Sequence, residues 1–324
     1  MITRSAFRAA WWLPGPHLQT LYPSLFRKRR APALTRERVE LADGDFIDID
    51  WTQQADGMRV LVLHGLEGSL ASHYTGGLLC ALEQAGYSAG LMYFRGCSGE
   101  PNRLPRGYHS GDTGDLEEVM QRLTQRHPDT KTAVVGFSLG GNVLLKWLGE
   151  KGDHAGVTTA IAISVPLDLH LAALKLSSGL SRIYQRHLLK RLRRSVTEKA
   201  ALHTPPFPLD SLHELNSFHK FDNEITAPLH GFRDVHEYYA KSSSKQFLKN
   251  IEIPTLLLQA IDDPFLPASA LPDKDELSPS ITLELSTHGG HVGFVTGSNP
   301  LRPRYWLEAR ILQHLDEYRM TRRD

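Results

Sequence analysis

Short runs of apolar residues alternate along this chain with longer segments in which apolar residues recur at helical spacing. The short runs are typical of strands that are buried on both faces of a sheet. They lie at 60–63, 89–94, 132–135, 158–165, 255–260 and 282–285. The helical segments lie at 74–86, 112–126, 140–148 and 302–318. Because strands that alternate with helices form βαβ units, the pattern predicts an α/β fold with a mainly parallel central sheet flanked by helices.

Two regions depart from this alternation. Residues 38–51 alternate apolar and polar positions around an Asp43-Gly44 turn, which predicts an antiparallel hairpin. Residues 167–249 contain no comparable apolar run, and their leucines recur at helical spacing. An insertion between two strands of a parallel sheet lies at the strand ends, so this region is predicted to be a helical lid. The predicted organisation is an N-terminal arm (1–35), an α/β core (36–166 and 250–324) and the lid (167–249).

Composition narrows the classes of function. The 324 residues include 37 Lys or Arg and 36 Asp or Glu, and the formal charge of +1 argues against nucleic-acid binding. Two cysteines, Cys80 and Cys97, cannot build a disulfide framework and show no metal-binding pattern. The apolar runs are far shorter than the roughly 18 residues of a membrane-spanning helix. No secretion signal is recognisable, so we expect a cytoplasmic protein.

Two basic segments raise the question of a membrane surface. Trp11 and Trp12 precede a basic run at 27–30, and aromatic and basic residues together suit that interface. The alternative, which we favour, is an irregular arm packed on the domain with a solvated charge run. The second basic segment, 190–194 (KRLRR), is predicted to be a solvated helix face, and a contact with lipid or nucleic acid is the less favoured alternative. A weak peripheral membrane contact therefore stays open, whereas stable insertion is not expected.

The segment 136–141 (GFSLGG) carries the clearest chemical signal. It follows an apolar strand and begins a helix, which is the context of a nucleophile elbow. The glycines around Ser138 suit a strained turn at which a bulkier side chain would collide with neighbouring backbone. A glycine-rich helix start with a capping serine would produce the same letters. The strand before it and the helix after it favour Ser138 as a nucleophile.

A serine nucleophile needs a base within hydrogen-bonding distance and an acid that orients the base. In this strand–turn–helix architecture the chain order is serine, acid, histidine. Two adjacent aspartates, Asp262 and Asp263, follow the strand at 255–260 on a proline-containing turn. Asp263 is preferred because it stands four residues before Pro267, a spacing that the resemblance of the chain to a known family implies for the acid. Asp262 remains the alternative acid.

The candidate base lies after the last strand, in the segment 287–294 (THGGHVGF). His291 is the predicted base, because the two glycines before it let the loop pass close to the nucleophile. His288 is the competitor, and the two histidines could also be a metal pair. No third ligand is visible nearby, whereas metal sites need three or four. We therefore expect neither a metal nor a cofactor.

Acyl transfer develops negative charge on the carbonyl oxygen, so backbone donors must point at that oxygen beforehand. One predicted donor is the N–H of Leu139, at the start of the helix that follows Ser138. The second is the N–H of Leu66, in the loop 64–68 (HGLEG) after the strand at 60–63. His64 is predicted to shape this loop and not to act as the base.

Five segments together resemble the α/β-hydrolase superfamily: the loop 64–68, the segment 94–99 (FRGCSG), the elbow 136–141, the aspartate loop and the histidine loop. Within the superfamily the chain is similar to the AB hydrolase 4 family of YheT-like esterases. Two further segments carry this likeness, the N-terminal signature at 15–20 (GPHLQT) and the lid segment at 221–226 (FDNEIT).

The resemblance implies an α/β-hydrolase fold and a charge-relay system of Ser138, His291 and Asp263, or Asp262 in its place. It also implies hydrolysis of a small-molecule carboxylic ester, of short-chain or acylglycerol type. The same three residues would serve a thioesterase, a lipase or an acyltransferase, because fold and triad are shared among them. A protein that binds a ligand without turning it over is the remaining alternative, and it has no need of all three groups. The oligomeric state is not predicted.

Overall fold

A nine-stranded sheet forms the central layer of the protein in the computed structural model, which describes residues 1–55 and 57–319. A separate two-stranded ribbon lies near the C-terminus. The strands of the central sheet are β1 (Ile2–Arg4), β2 (Thr35–Glu40), β3 (Phe46–Trp51), β4 (Arg59–Leu63), β5 (Ser88–Met92), β6 (Thr132–Phe137), β7 (Thr159–Ile163), β8 (Thr255–Ala260) and β9 (Ile281–Ser286). The ribbon consists of β10 (Val295–Thr296) and β11 (Arg304–Tyr305).

The strand order is β1-β9-β8-β7-β6-β4-β5-β3-β2, and all neighbours from β1 to β5 are parallel. The hairpin β2–β3 completes the sheet in antiparallel orientation, with Arg38 opposite Asp48. The sequence prediction of a mainly parallel sheet with one hairpin is confirmed. Because β4 lies between β5 and β6, the chain changes its direction of winding there, and a crevice forms at the carboxyl ends of these strands.

The inner strands of the sheet are buried on both faces, which explains why they read as continuous apolar runs; these strands are β4, β5, β6, β7 and β8. Along β4, Leu61 and Leu63 join one apolar cluster, while Val60 and Val62 join the cluster on the opposite face. Burying one aliphatic side chain contributes about 1.5–3 kcal/mol. A strand with four such residues therefore has a strong preference for the middle layer.

Helices cover the two faces of the sheet. Helices α3 and α4 pack in the cluster that contains Leu61, and α2 and α10 pack in the cluster that contains Val60. The helices are α1 (Pro16–Phe26), α2 (Thr75–Gln84), α3 (Gly114–Arg126), α4 (Leu139–Lys151), α5 (Leu169–Leu176), α6 (Arg182–Ala200), α7 (Phe218–Phe221), α8 (Ala227–Leu229), α9 (Val235–Ser242) and α10 (Trp306–Arg319). Helix α10 begins four residues later than the sequence pattern predicts, because Arg304 and Tyr305 pair with β10.

The region 167–249 is helical, as its leucine spacing predicts. Helices α5 to α9 lie within it and share an apolar cluster of their own, which includes Leu169, Phe221 and Tyr239. A π-helical turn at Asp222–Thr226 interrupts the run of α7 and α8. The cluster also contacts Leu21 of α1 and Leu66 of the core, so the helical region lies against both.

The prediction of an irregular N-terminal arm is wrong. Strand β1 extends the sheet by pairing with β9, and α1 is a helix of eleven residues. Pro16 stands at the start of α1, where a missing N–H costs nothing, so this proline favours the helix instead of preventing it. The expectation that the arm packs on the domain agrees with the contacts, since the amide of Gln19 bonds the backbone N–H and C=O of Val295.

Candidate active site

Ser138 stands on a tight turn between β6 and α4, at the carboxyl edge of the sheet. Its backbone has a φ of +51°, a value that residues other than glycine rarely adopt. The flanking glycines are required by space. A Cβ on Gly136 would lie 2.6 Å from the Gly140 carbonyl oxygen, and one on Gly140 would lie 2.5 Å from that of His64. The turn is thus a strained elbow held between close backbone segments.

A chain of two hydrogen bonds connects Ser138 to an acid. The Ser138 Oγ lies 3.0 Å from the Nε2 of His291, and the Nδ1 of His291 lies 2.9 Å from the Oδ2 of Asp263. The other oxygen of Asp263 accepts the N–H of Phe265 at 2.7 Å. The Phe265 ring stacks on the imidazole of His291 with centroids 3.8 Å apart and planes 3° from parallel. Three residues distant in sequence therefore form one hydrogen-bonded row, in which Asp263 and His291 are buried and Ser138 is half-buried.

The structure separates the two candidate acids and the two candidate bases. Asp262 accepts the N–H of Gly290 at 3.0 Å, and its other oxygen lies 3.4 Å from the Nδ1 of His288. Among the described residues, neither Asp262 nor His288 forms a hydrogen bond with Ser138, and the His288 side chain is exposed. Partial burial raises the pKa of Asp262. The arrangement fits Asp262 as the residue that fixes the histidine loop.

Backbone strain is concentrated around the same place. Of the five non-glycine residues with positive φ in the described chain, Ser138 is one, and Glu67 and Val292 directly follow Leu66 and His291. A fourth, Ser164, accepts the N–H of Val292 at 3.0 Å. Each such residue costs on the order of 1–3 kcal/mol and persists only where its surroundings enforce it, which is common at functional sites.

The loop after β4 passes directly over the serine. A Cβ on Gly65 would lie 3.2 Å from that of Ser138, so this glycine allows the close approach. The predicted donors, the N–H groups of Leu66 and Leu139, have no acceptor among the described residues. Two backbone donors thus remain available on either side of Ser138, as an oxyanion hole requires.

His64 holds this loop and is not available as a base. Its Nε2 accepts the N–H of Phe94 at 3.1 Å, so its Nδ1 carries the hydrogen and donates to the carbonyl of Gly65 at 2.7 Å. Burial lowers the pKa of His64 to about 4. The imidazole is therefore neutral over the physiological range, and both of its nitrogens serve the backbone, in keeping with the shaping role expected from the sequence.

Three residues that hold His291 and the Leu66 loop in place were not predicted from the sequence. Thr20 accepts the backbone N–H of His291 at 2.9 Å, and Phe265 covers the His291 ring. Glu67 bonds the hydroxyls of Tyr108 and Ser195, at 3.0 and 2.6 Å, and so ties the Leu66 loop to helix α6. For Thr20, the available signal was the resemblance of residues 15–20 to a family signature, which marked this segment without giving Thr20 a role.

A cavity of about 600 Å³ opens onto Ser138 and His291. Its walls are mostly aliphatic or aromatic and come from α1, from the loop after β4 and from the helices of the region 167–249. The apolar residues that line it include Leu21, Leu25, Leu66, Leu169, Ala172, Ala173, Leu176, Ile183, Tyr184, Leu188, Phe218, Tyr238, Tyr239, Phe265 and Val292. The volume and lining suit an apolar ligand of moderate size.

A buried acid lies in the wall of this cavity, at the start of the π-helical turn. The carboxylate of Asp222 accepts hydrogen bonds from the hydroxyls of Tyr239, at 2.8 Å, and Thr226, at 2.7 Å. Burial raises the pKa of Asp222 to about 6. The bond from Tyr239 joins α9 to the π-helical turn and the bond from Thr226 lies within the turn, so the acid has a clear structural role in the wall.

One group of side chains in the described residues has a spacing that a metal ion could use. One donor atom from each of His109, Asp112 and His230 lies within 4.8 Å of the others. The guanidinium of Arg106 lies 3.2 Å from the Asp112 carboxylate and already supplies a cation there.

In the described residues, no helix is both long enough and apolar enough to span a bilayer.

Comparisons with known proteins give a consistent picture. A family model described as the alpha/beta hydrolase fold matches residues 59–298. The chain is 41% identical to "Putative esterase YheT" of Escherichia coli (strain K12), over 93% of this chain and 90% of that protein. It is 27% identical to "Phospholipase ABHD3" of Homo sapiens, over 94% of this chain and 77% of that protein. A solved structure of the Pyrococcus furiosus esterase Pf2001 matches with a TM-score of 0.59 at 17% identity, over 98% of both chains, which is a likeness of fold alone.

Proposed function

The chain belongs to the α/β-hydrolase superfamily and, within it, to the AB hydrolase 4 family, and from this premise we propose that it cleaves carboxylic esters through an acyl-enzyme on Ser138. As a member of this family it is an enzyme of the esterase and lipase type. The observation that carries the proposed mechanism is the hydrogen-bonded row from Asp263 through His291 to Ser138.

In the proposed acylation step, the Ser138 Oγ attacks the ester carbonyl carbon while His291 Nε2 takes the hydroxyl proton. Because the Asp263 carboxylate accepts the Nδ1–H, it fixes the tautomer in which Nε2 is free to act as a base. The carbonyl oxygen becomes an oxyanion, and the N–H groups of Leu66 and Leu139 are its proposed donors. One such donor typically stabilises the transition state by about 3–4 kcal/mol.

The proposed cycle closes by hydrolysis. The imidazolium of His291 returns its proton to the departing alkoxide, which leaves as an alcohol. Water then enters, His291 removes its proton, and the resulting attack releases the carboxylic acid and restores Ser138. All proton transfers in this cycle use one imidazole.

The proposed substrate is an ester with an apolar acyl chain. Support comes from the cavity, whose apolar walls begin beside Ser138 and extend under the helices of the region 167–249. We propose that this region is the lid of the active site, because α5 and α6 contribute Ala173, Ile183 and Tyr184 to those walls. Lid side chains would then set the length of acyl chain that fits.

Labelling with a fluorophosphonate, which reacts with activated serines, tests the mechanism. We expect stoichiometric labelling of the wild type and of Ser110→Ala, a control that removes another serine hydroxyl from the same cavity. Ser138→Ala should not be labelled and should lose ester hydrolysis. Absence of labelling in folded wild-type protein, or persistent labelling of Ser138→Ala, would contradict the proposal.

A further inference from the structure

Large apolar side chains are exposed on both sides of the cavity opening. Helix α1 presents Leu18, Leu25 and Phe26 to solvent, whereas its polar residues Gln19 and Thr20 are buried. In the part of the lid on the other side of the opening, three further apolar side chains are exposed: Leu174, Leu180 and Ile183. Each of the six side chains is 45–69% exposed. A helix with its apolar side outward indicates a surface that contacts something apolar.

The two exposed groups belong to one surface. The Nδ1 of His17, in α1, lies 2.9 Å from the hydroxyl of Tyr184, in the first turn of α6, and the two rings stack. Leu25 and Ile183 both line the cavity. The opening is therefore flanked by α1 on one side and by the α5–α6 region on the other, and we call the segments 15–31 and 169–194 the rim.

The rim is also strongly basic. Its two segments contain eleven Lys or Arg residues and no Asp or Glu, in a protein whose formal net charge is +1. Within the described residues, only Arg27 and Arg194 of these eleven form an ion pair with a carboxylate. The other nine cations lack such a partner, and most are exposed, Lys28, Arg30 and Arg186 among them. Positive charge and exposed apolar side chains therefore coincide around the opening.

We propose that the rim docks the protein on an anionic lipid bilayer, with the cavity opening facing the membrane. A surface that binds in the membrane interface needs apolar side chains that reach the acyl boundary and basic residues that attract anionic headgroups, and the rim supplies both. A nucleic acid would bind the basic residues but would leave the six exposed apolar side chains without an apolar partner. Docking in this orientation would place the cavity where an apolar substrate can enter from the bilayer.

Vesicle co-sedimentation of the full chain tests the proposal, with all proteins carrying Ser138→Ala so that lipid hydrolysis does not interfere. We expect binding to phosphatidylcholine vesicles that contain phosphatidylglycerol, weaker binding to phosphatidylcholine alone, and loss of binding as salt rises. The docking result is independent of the proposed catalysis, because the variant used has no nucleophile at position 138.

Paired variants locate the binding surface. Lys28→Glu with Arg30→Glu, and separately Phe26→Asp with Leu180→Asp, should each weaken vesicle binding by about tenfold or more. None of these four residues lines the cavity, so hydrolysis of a soluble ester by the same substitutions in the Ser138 protein should be unchanged. That unchanged activity also shows that the variants fold.

Matched controls complete the experiment. Lys249→Glu with Lys274→Glu changes the charge equally outside the rim, near the start of β8 and in the loop before β9. Leu202→Asp alters an equally exposed leucine beyond the far end of α6. Both controls should bind vesicles like the parent protein. Absence of vesicle binding by the parent, equal losses in the controls, or tighter binding to duplex DNA that Phe26→Asp with Leu180→Asp leaves unchanged would overturn the proposal.

Discussion

Two aspartate–histidine pairs stand on the same two loops, and only one of them contacts the serine. In the first, Asp263 and His291 lie 2.9 Å apart with side chains 1% and 9% exposed. In the second, Asp262 and His288 lie 3.4 Å apart, and their side chains are 16% and 62% exposed. The residue types are the same, so the difference lies in burial and in the groups that surround each pair.

The surroundings decide what each pair can do. The imidazole of His291 is fixed by an acid on one nitrogen, by Ser138 on the other and by the ring of Phe265 on its face. Among the described residues, the imidazole of His288 bonds only Asp262, and because solvent screens that contact, its contribution to stability is small. A fixed imidazole is prepared for proton transfer, whereas a solvated one must first be ordered.

The largest expected difference between the pairs is in the histidines. His291→Gln removes the proposed base and should lower kcat for a soluble ester by roughly 10⁶-fold, as loss of a triad histidine does elsewhere. His288→Gln is the matched control and should change kcat by less than about threefold, because its side chain is solvated. Steady-state kinetics on both variants checks this. A comparable loss in the two variants would mean that the buried row is not the catalytic one.

The aspartates should differ by a smaller factor. Asp263→Asn keeps the shape of the side chain but favours the wrong imidazole tautomer, and the expected loss in kcat is about 10⁴-fold. Asp262→Asn can still accept the N–H of Gly290, so kcat should stay within about threefold. Labelling rates with a fluorophosphonate give an independent measurement. If Asp262→Asn proved the more damaging change, the assignment of the acid would be reversed.

These same residues show how much of the fold and of the candidate site could be predicted from the sequence. The strands were predictable because burial on both faces leaves continuous apolar runs such as 60–63. The sequence could also predict that the candidate site residues lie near one another, because each follows a strand whose carboxyl end lies at one edge of the sheet. These residues are Ser138, His291 and the two adjacent aspartates. The choice of Asp263 over Asp262 relied on its spacing to Pro267, and the observed contact with His291 agrees with that choice.

Other parts could not be predicted because they depend on contacts between distant residues. Thr20 and His291 are 271 positions apart, and nothing in either local sequence indicates that the Thr20 hydroxyl accepts the His291 N–H. Helix α1 was missed because two adjacent tryptophans and two prolines, Pro14 and Pro16, occur in the segment 9–21 and suggest irregular structure. In the folded protein, contacts of Gln19 with Val295 and of Thr20 with His291 stabilise the helix.

A smaller effect is expected from the ring that covers His291. Phe265→Ala removes the stacked ring while the backbone N–H at position 265 can still donate to Asp263. Because the imidazole then gains freedom and water, kcat should fall by about tenfold. Phe265→Leu, which restores apolar cover without a ring, should recover part of the loss. Unchanged kcat in the alanine variant would show that the two hydrogen bonds alone fix His291.

The smallest expected effect concerns Asp262 and appears in stability, not in catalysis. Burial raises the pKa of Asp262 in the folded protein, so its contribution to stability is fully present below the unfolded value of about 3.9 and is lost as the pH rises through the folded pKa. Asn does not titrate, so the wild type should lose stability relative to Asp262→Asn as the pH rises from about 4. Urea unfolding across this range measures the difference. Parallel stability curves for the two proteins would mean that solvent screens Asp262 as effectively as it screens His288. Burial would then change the properties of the pair Asp263 and His291 alone.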